Sequence, residues 1–321
     1  MTNSKILSIK NFFLKYKQGN DYIKILDSIN LELYQNDVLT ILGESGSGKT
    51  SLAKSILNLH KKSVKYSGEI IYNNKNILEL SFNELQAVRG KKISYIFQDP
   101  HTTLNPLLTV GFQINETIKT HLNISSAEAK NRGLEILQQV QLKNFNDVYK
   151  MYPHQLSGGM KQRILIALSI CCSPEIVIAD EPTTALDNNI QNIIVKLILD
   201  LCKKNNISII WITHNFNLAK HISNKMIIMY GGKIIEFGEK EYILKNPQHP
   251  YTKELIKISD YSKYANKNKL NYIKGNQFSF FDDETNCKFE NRCTISTPEC
   301  SSVPINFTGN SKHSVLCIHG K

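Results

Sequence analysis

Gly43-Glu44-Ser45-Gly46-Ser47-Gly48-Lys49-Thr50 follows the apolar run Val38-Leu39-Thr40-Ile41-Leu42 and leads into residues 49–59, whose apolar spacing is helical. Strand, glycine-rich loop and helix, in that order, are the context that the pattern G-x-x-x-x-G-K-[ST] requires. The glycines let backbone N–H groups turn inward onto phosphate oxygens, and the helix opening near Lys49 adds its positive end. Lys49 is expected to reach the β- and γ-phosphates of a nucleoside triphosphate, with Thr50 ligating Mg²⁺ and Ser51, just after the loop, also counted in the nucleotide site. A chance match in a Gly/Ser loop is the alternative, and the flanking elements argue against it.

A phosphate loop needs an acidic partner element. Ile176-Val177-Ile178-Ala179-Asp180-Glu181 is an apolar strand that ends in two carboxylates. Asp180 is expected in the Mg²⁺ shell, and Glu181, at the strand tip, to polarise a water for in-line attack. Taken alone, such a pair would be an ordinary solvated strand end.

Working outward, residues 6–16 and 25–33 carry β-type residues with partial alternation and are predicted as antiparallel strands. Residues 93–97 and 207–212 read as further short strands, and 190–204 as a helix. Residues 109–141 read as helices, and 160–172 as a helix that stops before Pro174. Gly231-Gly232 between 225–230 and 233–237 is a hairpin signal. Strands alternating with helices predict a mostly parallel sheet, and the helical stretch from about 100 to 172 reads as an inserted subdomain. Residues 259–276 are rich in Lys, Asn, Ser and Tyr and read as a linker or a loosely packed segment.

The chain has 321 residues, and 41% of them are hydrophobic, which excludes a disordered chain. It has no apolar run long enough for a membrane-spanning helix, and no secretion signal opens it. Its 39 Lys and Arg against 28 Asp and Glu leave a net +11. That charge suits nucleic acid or an anionic membrane face, but no dense basic block is present and nucleic acid is not expected as a partner.

Leu156-Ser157-Gly158-Gly159-Met160-Lys161-Gln162-Arg163 resembles the signature motif of the ABC transporter ATPases. Other family elements match in order. Tyr16 falls where an aromatic stacks on adenine, and Gln98 in Phe97-Gln98-Asp99-Pro100 resembles the Q-loop, whose glutamine joins the Mg²⁺ shell. Ala185-Leu186-Asp187 resembles the D-loop, and His214 the switch histidine. Met160 departs from the Gln found in much of the superfamily and resembles the peptide-importer branch. Tyr66-Ser67-Gly68-Glu69-Ile70, Leu104-Asn105-Pro106, Tyr152-Pro153-His154-Gln155 and the stretch Asn246-Pro247-Gln248-His249-Pro250-Tyr251-Thr252-Lys253 resemble the dipeptide, oligopeptide and nickel importers. In that tail motif His249 reads as structural.

The resemblance implies an α/β fold. Its ABC-type P-loop ATPase domain, 1–258, would have a RecA-like parallel sheet, an antiparallel β subdomain and the inserted helical subdomain. A small cysteine-containing extension would occupy 259–321. It implies catalytic roles for Glu181, His214 and Gln98. Ser157, Gly158 and Gly159 open a helix, a natural anion site. In the family they contact the γ-phosphate held by another ATPase, so one chain cannot close its own site. The implied partners are a second ATPase (a different chain before a second copy), two permeases and an extracytoplasmic substrate-binding protein. The implied place is the cytoplasmic face of the membrane, and the implied cargo di- or oligopeptides. Nickel or another metal chelate is the alternative cargo, and a soluble ABC protein acting on nucleic acid or ribosomes the alternative class.

Cys171, Cys172 and Cys202 lie in apolar helical stretches and read as buried thiols. Cys287, Cys293, Cys300 and Cys317 cluster in a polar tail, where four thiols without an export signal point to metal. Arg292 and His313 also fit the tail of the peptide-importer group. Zinc and a [4Fe–4S] cluster are the options. No pair of these cysteines has the two-residue spacing of zinc ribbons, and the resemblance favours iron–sulfur. Lying outside 1–258, the tail is expected to leave ATP binding untouched.

Overall fold

Leu7 and Ile9, then Phe12 and Leu14, are fully buried in the first strand, so its alternation slips by one residue. The slip is a bulge between Lys10 and Phe13, with Asn11 at φ 47°. It explains why the strand's period is only partial in the sequence. Truncating Phe12 to Ala in this packed sheet would cost about 3–5 kcal/mol.

The computed structural model describes residues 4–60, 63–184, 186–259, 273–276, 278–280, 286–310 and 312–320. Among these the strands are β1 (Lys5–Gln18), β2 (Asp21–Tyr34), β3 (Val38–Leu42), β4 (Val64–Tyr72), β5 (Lys75–Asn76), β6 (Ile93–Ile96), β7 (Ile176–Asp180), β8 (Ser208–Thr213), β9 (Lys225–Tyr230), β10 (Lys233–Glu239), β11 (Thr308–Asn310) and β12 (His313–Val315). The helices are α1 (Lys49–Ile56), α2 (Phe82–Val88), α3 (Pro100–Thr103), α4 (Val110–His121), α5 (Ser126–Gln139), α6 (Phe145–Val148), α7 (Gly158–Ile170), α8 (Asn188–Lys204), α9 (Phe216–Ile222), α10 (Lys240–Lys245), α11 (Pro250–Ser259) and α12 (Glu299–Ser302). They form two compact units. One holds the described residues of 1–4, 34–36 and 79–211; the other holds those of 5–33, 37–78 and 212–321.

In the first unit β6 runs parallel to β7, from Ile93 opposite Ile176 to Ile96 opposite Ala179, and β8 lies beyond β7. Every residue of β7 and β8 is buried, which is why both read as unbroken apolar runs. The expected helical insertion lies between β6 and β7 as α3 to α7. The helical stretch predicted over 109–141 is two helices. Ser125 starts the second with a capping box closed by Glu128. Arg132 Nε donates to Cys171 O, and Arg163 Nη1 to Val140 O, cross-bracing the helices.

In the second unit β2-β1-β4-β5 make an antiparallel sheet. A second sheet has the order β11-β12-β10-β9-β3, with β3 parallel to β9 and the remaining pairs antiparallel. The predicted β9–β10 hairpin is present, and Gly231 and Gly232 take φ of 52° and 77° in its turn. Other residues are strained there, and a Cβ on Gly232 would lie 2.2 Å from Ile25 O. The helix read over 49–59 ends at Ile56, because Asn58 turns to φ 47°. Of the linker read over 259–276, residues 260–272 lie outside the described residues.

The tail docks onto this unit through an aromatic triad. Ring centroids of Tyr230 and Tyr251 lie 4.9 Å apart, Tyr230 and Phe289 5.2 Å, and Tyr251 and Phe289 5.3 Å. Such pairs contribute about 0.5–1.5 kcal/mol each beyond the area they bury. Behind them Glu236 is fully buried and accepts from Gln248 N (2.8 Å), His249 N (3.0 Å) and His313 Nε2 (2.7 Å). A buried carboxylate with this many donors is stably held; removing one donor leaves a costly orphan. His249 Nδ1 accepts from Tyr251 N, so its role is structural, as its sequence context implied.

Candidate active site

The phosphate loop leaves β3 and turns through Gly46 and Gly48, at φ 78° and 99°. A Cβ on Gly46 would meet nothing within 4 Å, so this glycine serves conformation, and its face of the loop stays open. No side chain caps the first turn of α1, leaving its N–H groups for an anion. Lys49 is 4% exposed, and its Nζ donates to Gly43 O and Glu44 O, both at 2.8 Å. Ser47 Oγ is buried without a hydrogen-bond partner. A buried ammonium held by carbonyls and an orphaned hydroxyl in one loop fit a polyphosphate, whose oxygens satisfy both. Thr50 is exposed at the start of α1.

Tyr16, on β1 in the same unit, is half-buried, and its hydroxyl lies 3.0 Å from His60 Nδ1. His60 Nε2 lies 2.8 Å from Ser55 Oγ on α1. Burial lowers the His60 pKa to about 4, so the ring is neutral at physiological pH. His214 follows β8, exposed, just before Asn215, whose side chain caps α9.

The first unit carries the expected acidic residues. Asp180, at the end of β7, is 3% exposed and accepts from Tyr95 OH at 2.7 Å. Burial and that carboxylate push the Tyr95 pKa up, so the phenol stays a donor. Glu181 takes φ 46°, rare for a residue with a Cβ. Gln98 Nε2 and Thr184 Oγ1 both donate to Glu181 Oε2, at 3.2 and 3.0 Å. Gln98 and Glu181, expected in separate motifs, are thus brought together. Tyr95 and Thr184 were missed; a Tyr and a Thr carry no signal until the fold sets them beside the carboxylates.

The signature stretch meets its expected geometry locally. Ser157 is exposed and caps the 13-residue α7, accepting from Met160 N, and Gly158 and Gly159 form the first turn. A Cβ on Gly158 would meet nothing within 4 Å, so this helix end is open to an anion. Asp187 caps α8, accepting from Asn189 N and Ile190 N. Ala185, the first residue of the D-loop reading, lies outside the described residues.

Residues 26–184 match the ABC transporter family, and residues 235–300 match the oligopeptide/dipeptide transporter C-terminal region. The dipeptide transport ATP-binding protein DppD of Bacillus subtilis is 37% identical over 316 residues, which are 98% of this chain and 94% of that protein. The chain belongs to the ABC transporter family. DppD of Haemophilus influenzae is 38% identical to this ABC ATPase over 314 residues, covering 97% of the chain and 94% of that protein. Among solved structures, the dimeric ATP-binding cassette MJ0796, in a post-hydrolysis state with ADP and Pi, is 30% identical with a TM-score of 0.65. It covers 73% of this chain and 99% of that one. No helix among the described residues is long and apolar enough to cross a membrane.

In this ABC ATPase the tail cysteines are free thiols, Cys300 and Cys317 buried, Cys287 and Cys293 half-buried. Cys287 N donates to Cys300 O at 3.1 Å. Burial, helped by the neighbouring thiols, pushes the Cys287 pKa up to about 11 and raises Cys293 and Cys317 as well. Among the described residues, no group of three or more His, Cys, Asp or Glu side chains is drawn together as a metal-ligand set. Cysteine is a soft donor, so the residue types of the tail, though not drawn together as a ligand set, are those that a soft metal takes.

The phosphate loop is touched both from α11 and from the tail. Tyr251 OH accepts from Glu44 N at 2.9 Å, and Arg292 grips the Glu44 carboxylate.

Proposed function

We propose that this ABC ATPase powers the import of di- and oligopeptides. It would work at the cytoplasmic face of the membrane with two permeases, a substrate-binding protein and a second ATPase chain. One observation carries the reading. The chain matches dipeptide-transport ATPases over nearly its whole length, including the peptide-transporter C-terminal region. A different ATPase is the expected second chain, and the complete set of hydrolytic residues here also permits a second copy.

In this reading the open phosphate loop and Lys49 bind the triphosphate of ATP. Thr50, Gln98 and Asp180 would hold Mg²⁺, which neutralises charge on the β- and γ-phosphate oxygens. Glu181 orients and deprotonates the attacking water, and Gln98 and Thr184, donating to one of its oxygens, aim the other. His214 contacts the γ-phosphate, and Tyr16 stacks on adenine. Ser157, Gly158 and Gly159 bind the phosphate carried by the second ATPase, so hydrolysis needs assembly. The chain divides into the ATPase domain, 1–258, and the extension, 259–321.

Cys287, Cys293, Cys300 and Cys317 would hold a [4Fe–4S] cluster that clips the tail together. Anaerobically purified protein should then contain about four iron and four sulfide per chain. Zinc without iron would replace that assignment with a Cys₄ zinc clip. Cys293→Ser should lose the metal in either case. The transport reading is tested by ATP-dependent uptake of a labelled dipeptide into vesicles bearing the assembled transporter. Absence of uptake with a dipeptide and an oligopeptide alike would overturn it.

A further inference from the structure

Glu44 is the one acidic residue of the phosphate loop. It puts a carboxylate into a loop built to receive phosphates, where like charge opposes binding. The structure supplies a counter-charge from the far end of the chain. Arg292 Nη1 donates to Glu44 Oε2 at 2.7 Å and Nη2 to Oε1 at 3.1 Å, a two-bond fork on both carboxylate oxygens. The remaining N–H groups are also taken. Nη1 donates to Tyr230 OH (3.2 Å), Nη2 to Ile273 O (3.3 Å) and Nε to Lys274 O (3.1 Å). The Arg292 side chain is 5% exposed, and its guanidinium centre lies 5.7 Å and 5.9 Å from the rings of Tyr230 and Phe289. Five donors with five acceptors, a buried plane and two ring neighbours make a fixed device, unlike a surface ion pair whose partners drift.

Glu44 is held on two further sides. Its N–H donates to Tyr251 OH, and its carbonyl accepts from Lys49 Nζ. The residue that carries the loop's negative charge thus also positions the lysine.

We propose that Arg292 is a positioning residue for nucleotide binding. It cancels the Glu44 charge and fixes the phosphate loop for a polyphosphate, so tight MgATP binding depends on the tail segment that carries Cys293. This rests on the reading of the loop as the nucleotide site. Without Arg292, Glu44 is left as a part-buried anion in the same loop as Lys49, and it competes with the phosphates for that ammonium.

The test is a cycle on the full chain, reading the Kd of MgATP by calorimetry. The effect of Arg292→Met is measured twice, in the parent and in Glu44→Gln. Charge cancellation predicts that Arg292→Met weakens binding about tenfold or more in the parent but less than about threefold in Glu44→Gln. An equal loss in both backgrounds would mean that Arg292 acts by packing alone, and no loss in the parent would mean that it does not act; either overturns the proposal. Should Arg292→Met fail to fold, Glu44→Gln/Arg292→Met, which leaves no charge unpaired, is compared with Glu44→Gln. Affinities within about threefold support charge cancellation, and a tenfold gap overturns it. A parent chain that binds no MgATP would sink the nucleotide reading itself, a result separable from any of these ratios.

Discussion

Glu181 sits at φ 46°, a conformation that costs a non-glycine residue on the order of 1–2 kcal/mol. Such strain persists where the surroundings impose it, and here Gln98 and Thr184 hold the carboxylate by one oxygen. The sequence showed a carboxylate at a strand tip; it had no means of showing the backbone twist, because only the packed turn dictates a positive φ. Glu181→Gln keeps the shape and removes the base, so it should bind ATP normally and lower hydrolysis by the assembled transporter about a hundredfold or more. Near-parental turnover in a steady-state phosphate-release assay would remove Glu181 from that role. Lys49→Ala should act differently and weaken nucleotide binding itself, as read by equilibrium titration.

At the scale of elements, α7 presents the exposed Ser157 and an open first turn, and α11 is anchored through the buried Glu236. The signature helix was legible because the stretch from Ser157 to Gly159 spells its own cap. The Glu236 anchor was not. Nothing in the sequence marks Glu236, and it is a register shift between Ile234 and Glu236 and three donors from outside the strand that make it the most deeply buried charge of β10. The strands β11 and β12, three residues each, are too short to leave a periodic trace. Ser157→Arg should leave ATP binding by the single chain intact and abolish ATP-driven pairing of two ATPase domains, measured by size-exclusion with light scattering. Pairing and hydrolysis at parental levels would end the shared-site reading. The α11 anchor also predicts acid sensitivity. Burial holds the His249 pKa at about 3, against 6.5 unperturbed, so between those values the unfolded chain binds a proton that the folded chain refuses. Stability therefore falls as pH drops below about 6.5, by up to about 1.4 kcal/mol per pH unit for this one group. Thermal melts should show Tm decreasing from pH 7 to pH 5, with a shallower slope in His249→Gln. An unchanged slope in that variant would show that His249 does not govern the acid limb.

For the whole molecule, the ATPase halves were legible because phosphate loop, acidic strand end and signature each carry local chemistry at fixed spacing. The grip of Arg292 on Glu44 was not, because 248 residues separate the partners and neither residue type marks the other. This chain is an ATPase whose hydrolysis drives peptide movement by a larger assembly. The most direct test is ATP-dependent uptake of a labelled dipeptide by the assembled transporter in sealed vesicles, run with parent and Glu181→Gln chains side by side. Uptake is expected to require ATP in the parent, and to be absent in Glu181→Gln even though that variant still binds ATP. Uptake at the parental rate by Glu181→Gln, or uptake by the parent without ATP, would contradict that expectation.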